Sequence, residues 1–416
     1  MNNKKDNLFS YLKYVITTVF LVLNVIAGQL FGGFGRTSGF VLLTFVVLSA
    51  VVFLFENWFK ISVTLTIYHI YMLVFAAFCT LSSLWAQDSS LSTLKGERIL
   101  DIAISMSIFY MIYSERHKDI VNTLFTIMMW SGYLIVAYEI YFYGWSQLML
   151  LLSETVRIHS DFLNANTLGM VVAYSIVINY YLILYRKTPF WQSFPLPFAL
   201  IVLAGSGSRK AITIVLLGVV LITFFKNFRG GKLFRKFPKI LISGIVLLLA
   251  FQFLSGLAMF EGVMERLESM LNIFNGNASI DKSTWERLEL IKLGWKLFQE
   301  NPILGVGMDN PRIFSWIVVS KVLYLHNNYM EILSGGGLIG FIVYYWFYGY
   351  LFYAYFKYRK GNTELCGICI TLLIIRLIID FGAVSYYDQD TYFWLLIFYL
   401  GAKELKSRWN EVMYDR

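Results

Sequence analysis

At 416 residues, 58% hydrophobic and only 15% charged, with a mean hydropathy of +0.62, this chain carries too little charge for a water-soluble fold of its size. Its formal charge of +9 is no nucleic-acid signature, because in so apolar a chain the placement of the cations matters more than their sum. The composition predicts an all-α, polytopic membrane protein, and an aromatic content of 18% suits interfacial belts as well as apolar spans.

A bilayer span needs about 20 mostly apolar residues, and reading for such runs predicts about twelve. They fall near 14–31, 38–55, 62–83, 99–113, 120–143, 167–185, 190–205, 211–225, 238–259, 333–356, 364–382 and 390–402. The charged leader MNNKKDNLFSYLKY precedes an apolar stretch without a small-residue cleavage site, so the first span is predicted to be retained, not removed as a signal peptide. Cys79, Cys366 and Cys369 lie inside apolar runs. The C-x-x-C spacing of the last two has no second Cys/His pair in range, so it reads as apolar packing ahead of zinc or a disulfide.

With the N-terminus placed in the cytoplasm, the cytoplasmic segments collect most of the lysines and arginines, including KNFRGGKLFRKFPK at 226–239. The short outer loops keep only Arg36, Lys95, Arg98, Arg157, Arg209 and Lys210, as the positive-inside rule requires. Both termini are therefore predicted cytoplasmic. The predicted organisation is one integrated membrane domain. Residues 1–259 hold the first nine spans, 260–326 form a large extracytoplasmic loop, and 327–416 hold the last three spans and a tail. So long a polar loop is normally functional and is expected to contain short helices.

Polar residues on the outer side each ask for a reason. In DKSTWERLELIKLGWKLFQENPILGVG, Ser283 followed by Glu286 is a capping-box pattern, predicting a helix to about Gln299 before Asn301 and Pro302. Leu288, Ile291, Trp295 and Phe298 are predicted as its apolar stripe, and Arg287 projects with them. That arginine reads either as a snorkelling side chain or as a cation held over the membrane surface to meet an anion. Arg209 and Lys210 follow the small residues Gly205 to Ser208 at the outer N-terminus of a span. There they form either a solvated turn or, with free backbone amides, an anion site. Arg376 and Asp380, one turn apart in LLIIRLIIDFG, can pair, as a structural ion pair or facing a cavity. His326 stands in LYLHNNYMEILSGGGLIG (323–340) with Asn327 and Asn328. A neutral imidazole there can take a hydroxyl proton, with the amides fixing its tautomer or binding sugar; equally, the three residues can simply cap a helix. His159 is the other outer histidine with polar company. No Asp/Glu/His cluster has convincing metal-ligand spacing.

HNNYMEILSGGGLIG resembles the H-N-x-Y-x7-G-x-x-G signature of the O-antigen ligase and O-antigen polymerase (Wzy-type) superfamily. NPILGVG (301–307) is similar to its P-x-x-G-x-G element and SGSRKA (206–211) to its small-S-R-x-A turn. RIHSDFLNANTLG (157–169) resembles its R-x4-F-x-N-x-N segment, and LSSLWAQDSS (81–90) its S-x-x-W-x-x-D loop. All five occur in family order and on the predicted outer face. The resemblance implies a GT-C-like membrane glycosyltransferase of the bacterial cytoplasmic (inner) membrane, working on its extracytoplasmic side without metal, nucleotide sugar or other cofactor. It implies a glycan donor carried on undecaprenyl diphosphate, His326 as base for the acceptor hydroxyl, and Arg209 and Arg287 on the donor diphosphate, with Arg157 as a third. Asn327, Asn328, Lys210, His159, Asp88, Arg376 and Asp380 are expected to bind sugar or support the site. A polymerase of O-antigen, capsule or exopolysaccharide is the preferred expectation and a ligase to lipid A-core or another acceptor the alternative. A lipid-linked oligosaccharide flippase is more distant, because no two related halves are visible. Expected partners are the lipid-linked oligosaccharide, membrane lipid, a chain-length regulator and a flippase, and no nucleic acid.

Overall fold

The computed structural model describes residues 65–114, 119–148, 164–186, 188–227 and 282–414. Among these there is no strand. The main helices are α1 (Ile67–Leu81), α2 (Ser89–Ser114), α3 (Ile120–Tyr143), α4 (Ala165–Tyr181), α5 (Leu196–Ser206), α6 (Arg209–Asn227), α7 (Lys282–Glu300), the single turns α8 (Pro311–Phe314) and α9 (Trp316–Val319), α10 (Asn328–Tyr358), α11 (Thr363–Ile379) and α12 (Gln389–Tyr414). Among the described residues, four stretches are long and apolar enough to cross a membrane: Ile67–Leu84, Ile120–Tyr143, Ala165–Arg186 and Asn328–Tyr358. The runs near 99–113, 190–205, 211–225, 364–382 and 390–402 are also helical, but shorter or more polar. The runs near 14–31, 38–55 and 238–259, the basic stretch beyond Asn227 and the first part of the polar loop lie outside the described residues. Cys79, Cys366 and Cys369 are buried free thiols, as apolar packing predicts.

The chain forms two compact units interleaved along the sequence. In the first, α3 and α4 run antiparallel, and small residues set their approach: a side chain at Gly132 would meet the Ser175 hydroxyl at 1.8 Å. Further along the seam the Tyr181 hydroxyl donates to Asn122 Oδ1 at 2.9 Å. Helix α6 lies against α4 through Gly218, which faces Val177, and through a 2.7 Å contact between the Tyr180 and Thr223 hydroxyls. Close backbone approach at small residues, pinned by interhelical hydroxyl bonds, replaces the hydrophobic drive that is missing between helices in lipid.

The second unit is built on aromatic packing. Tyr71 stacks on Phe347 at 4.7 Å and Phe75 meets Tyr344 at 5.0 Å, joining α1 to α10. The Tyr355 hydroxyl donates to the Phe398 carbonyl at 2.6 Å and that of Tyr68 to Tyr392 O at 2.9 Å, so buried phenols find main-chain partners on α12. Helix α10 is broken at Gly337, whose φ of 61° and ψ of −162° leave the helical region. A break frees carbonyls before it and amides after it, and in a membrane these must be satisfied internally. The segment Pro302–Gly307 does so. Val306 and Gly307 N–H donate to the Ser334 and Gly335 carbonyls at 2.9 Å each, and Leu338 and Ile339 N–H donate to the Pro302 and Ile303 carbonyls at 2.8 and 3.2 Å. The glycine run therefore gives a bend and a close approach: a side chain on Gly337 would lie 2.3 Å from the Ile303 backbone.

Candidate functional site

The same segment is stitched on its other side to the turn between α1 and α2. Met308 N–H donates to Ser82 Oγ (3.0 Å), Trp85 Nε1 donates to the Leu304 carbonyl (3.1 Å), and Asp88 N–H donates to Asn310 Oδ1 (2.8 Å). These are the Ser, Trp and Asp of the S-x-x-W-x-x-D loop. Motifs far apart in sequence thus become one hydrogen-bonded platform. Asp88 uses its carboxylate locally: Oδ1 accepts from Ser90 N–H (2.9 Å) and the Ser90 hydroxyl, which holds its acidity above that of an ordinary carboxylate. It caps the first turn of α2.

Above the platform lies α7, described over Lys282–Glu300; Ser283 is already helical, and the helix ends one residue past the predicted Gln299. The face that packs differs from the predicted one. Leu290, Leu293 and Leu297 join Val319 and Leu325 in a buried cluster, whereas Trp295 is 48% exposed. The helix carries apolar residues on two sides, and Gly294 decides between them. A side chain there would meet Leu325 at 2.6 Å, so only the glycine side admits the incoming chain.

Leu325 carries His326 with it. His326 is half-buried and sits at φ 56°, the left-handed region that a residue with a β-carbon enters only when its surroundings impose it. Asn327 follows in an extended conformation as the N-cap of α10: its Oδ1 accepts from Met330 N–H at 3.0 Å while Nδ2 donates to the Phe381 carbonyl at 3.2 Å. Asn328 is fully buried, and its Oδ1 accepts from Ser385 and Tyr386 N–H at 2.9 and 3.0 Å. Its Nδ2 donates to Asp380 Oδ2 at 3.2 Å and Tyr345 Oη at 3.1 Å. Both amides are therefore committed to supporting the loop. Asp380 also accepts from the Ser385 hydroxyl at 2.6 Å. Arg376, one turn earlier, reaches across to Asp390 Oδ2 and the Thr391 hydroxyl, each at 2.7 Å.

Tyr324, which the sequence reading passed over, links two of the expected site residues. Its ring lies 4.2 Å from that of His326, and its hydroxyl, made less acidic by burial, feels the Arg287 charge in the opposite sense. Lys321 pairs with Glu286 Oε1 at 2.9 Å, tying the chain before Tyr324 back to α7. Arg287 is half-buried on α7, next to the Glu286 that holds Lys321. An ionic cluster next in the chain was also missed. Asp309, 2% exposed and left-handed at φ 64°, meets Arg312 at 2.7 Å and Lys95 at 3.4 Å, and Lys95 lies 3.6 Å over the Tyr387 ring. Burial pushes the Asp309 carboxyl up in pKa while Lys95 and then Arg312 pull it down. Lys95 was one of few outer cations, and that scarcity was its only signal.

In the first unit, the Ser206–Ser208 turn uses Gly207 at φ 57° and docks on Gly169, where a side chain would meet Ser206 Oγ at 2.6 Å. The amides expected to be open to an anion are taken up internally. Gly207 N–H donates to the Ala204 carbonyl, Ser208 N–H to Ser206 Oγ, and Ala211 N–H to Ser208 Oγ at 3.4 Å. The side chains of Arg209 and Lys210, at the start of α6, are half-buried. Asn164, at the end of the R-x4-F-x-N-x-N segment, caps α4 by accepting from Asn166 N–H at 2.9 Å. Arg157 and His159 lie outside the described residues. Among the described residues, no group of three or more His, Cys, Asp or Glu side chains is placed to hold a metal ion.

Residues 194–345 match the family model described as O-antigen ligase. The match supports the O-antigen ligase and polymerase superfamily as the one this chain resembles, and it covers Arg209, Arg287, the P-x-x-G-x-G segment and His326. No curated protein matches the chain.

Proposed function

We propose that this protein is a polymerase of a bacterial surface polysaccharide, either O-antigen, capsule or exopolysaccharide. It transfers a growing glycan from undecaprenyl diphosphate to a lipid-linked repeat unit at the extracytoplasmic face of the cytoplasmic membrane. The observation that carries the reading is the presentation of His326, held left-handed against the Tyr324 ring at the mouth of a helix long enough to span a bilayer, within the matched segment.

In the proposed reaction the acceptor hydroxyl attacks the anomeric carbon as His326 takes its proton. The bond from that carbon to the diphosphate oxygen breaks, and undecaprenyl diphosphate leaves with the electron pair. Arg209 and Arg287, with Arg157 as a third, neutralise the departing charge, since arginine forks bind phosphate oxygens bidentately and stay protonated. One displacement at one carbon inverts its configuration. The same anomeric configuration in donor and product would refute that. The family description, O-antigen ligase, favours a second reading, in which the protein passes the finished glycan to lipid A-core or another acceptor.

Electrophoresis of the surface polysaccharide from a His326→Ala strain separates them. Loss of a polymerase leaves single repeat units where there was a ladder. Loss of a ligase leaves polymer on undecaprenyl diphosphate with none on the acceptor. A normal ladder with normal attachment refutes the assignment of His326.

A further inference from the structure

Glu331 lies one turn into α10 and is completely buried. Its Oε2 accepts from Leu325 N–H at 2.7 Å, while Oε1 has no hydrogen-bond partner. The bond spans His326: the donor is the residue before it, and the acceptor belongs to the helix after it. Asn327 closes the other side by capping Met330 N–H. Between these two clamps His326 has little freedom to leave its left-handed conformation, which a β-carbon otherwise disfavours. A buried carboxyl oxygen that accepts a main-chain N–H is a directional tether, because the donor has no water to turn to. It is an expensive group to bury unless it holds something in place.

We infer that Glu331 is a positioning residue that fixes the backbone of His326 through the Leu325 amide. The inference rests on the proposed role of His326, and hydrogen exchange at Leu325 tests the tether itself independently of that role. Leaving the buried Leu325 N–H without an acceptor shifts the population of a held conformation by roughly 10- to 100-fold.

The test uses the full-length protein in lipid nanodiscs, with Glu331→Ala and Glu331→Gln, at a temperature where the folded fractions are equal. In Glu331→Ala, hydrogen exchange in a peptide covering Leu325 accelerates roughly 10-fold or more, and kcat for glycan transfer falls roughly 10- to 100-fold with KM little changed. Glu331→Gln keeps an acceptor oxygen and restores both. A Leu325 amide that stays protected in Glu331→Ala overturns the inference, as does unchanged kcat or a Gln variant as slow as the Ala one. If Glu331→Ala does not fold, the wild type and Glu331→Gln decide. A Leu325 amide exchanging as fast as an unstructured one, or a protected but inactive Gln variant, overturns it. Should His326→Ala retain transfer, the role of His326 falls while the exchange results still decide that of Glu331.

Discussion

Replacing Gly337 by alanine tests the account of the platform. The glycine sits at φ 61° and ψ −162°, a combination essentially closed to other residues at about 1–3 kcal/mol. Its new β-carbon would also stand 2.3 Å from the Ile303 carbonyl carbon and oxygen and 2.6 Å from Leu304 N, all main-chain atoms that cannot rotate away. Relief requires the 302–307 segment to lift, breaking the bonds of Val306, Gly307, Leu338 and Ile339. At about 0.5–1.5 kcal/mol each these sum to about 2–6 kcal/mol, so the total loss is about 3–9 kcal/mol. Gly349→Ala on the same helix is the control: nothing lies within 4 Å of its added carbon, and the change is expected to be neutral or stabilising by up to about 1 kcal/mol. Denaturant titration of both variants in detergent or nanodiscs reads the difference. If Gly337→Ala falls within about 1 kcal/mol of Gly349→Ala, the bonded kink is not what organises this end of the unit.

Three further outcomes follow from the same geometry. Arg312→Met removes one of two cations from the buried Asp309 and should destabilise by about 1–3 kcal/mol, with Asp309→Asn in the same chain recovering much of it; thermal unfolding of the single and double variants checks this. Gly169→Leu should push the Ser206–Ser208 turn off α4 and lower stability by about 1–3 kcal/mol, with the accompanying loss of donor affinity read by transfer assays at limiting donor. Burial, and then the neighbouring charge of Asp390, push the Asp388 carboxyl up to about 7. The folded state then holds this proton where the unfolded chain has lost it. Its contribution is full below the ordinary carboxylate pKa and is lost as pH rises through about 7, at most about 4 kcal/mol. Asp388→Asn should therefore raise the Tm more at pH 8 than at pH 5.

What was legible in the sequence was periodic or covalent in origin. Runs of apolar residues marked helices, and Asn301 with Pro302 marked the end of α7 within about a residue. The glycine run read as a bend or close approach and is both, since Gly337 breaks α10 and Gly335 and Gly337 let the 302–307 backbone approach. Arg287 was singled out for sharing a face with Leu288 and Ile291, yet the packed face is the one centred on Gly294. Two apolar faces on one helix look alike until the partner that covers one of them is known. Asn327 and Asn328 stayed ambiguous between cap and sugar contact because an amide serves both; the partners Phe381, Ser385 and Tyr386 come from more than fifty residues away. The pairing of Lys95 with Asp309 was invisible for the same reason, since more than two hundred residues separate them, and the bond of Glu331 to Leu325 N–H depends on a turn at His326 that no local spacing encodes.

The central claim is that His326 removes a proton while arginines, in place of a metal, carry the leaving diphosphate. The most direct measurement is transfer from an undecaprenyl diphosphate-linked oligosaccharide to a lipid-linked acceptor, by the protein in nanodiscs with EDTA present. The account predicts that the wild type makes polymer under these conditions and that His326→Ala is slower by roughly 10²- to 10⁴-fold. A His326→Ala protein working at the wild-type rate, or a wild type silenced by EDTA and revived by a divalent cation, would contradict it.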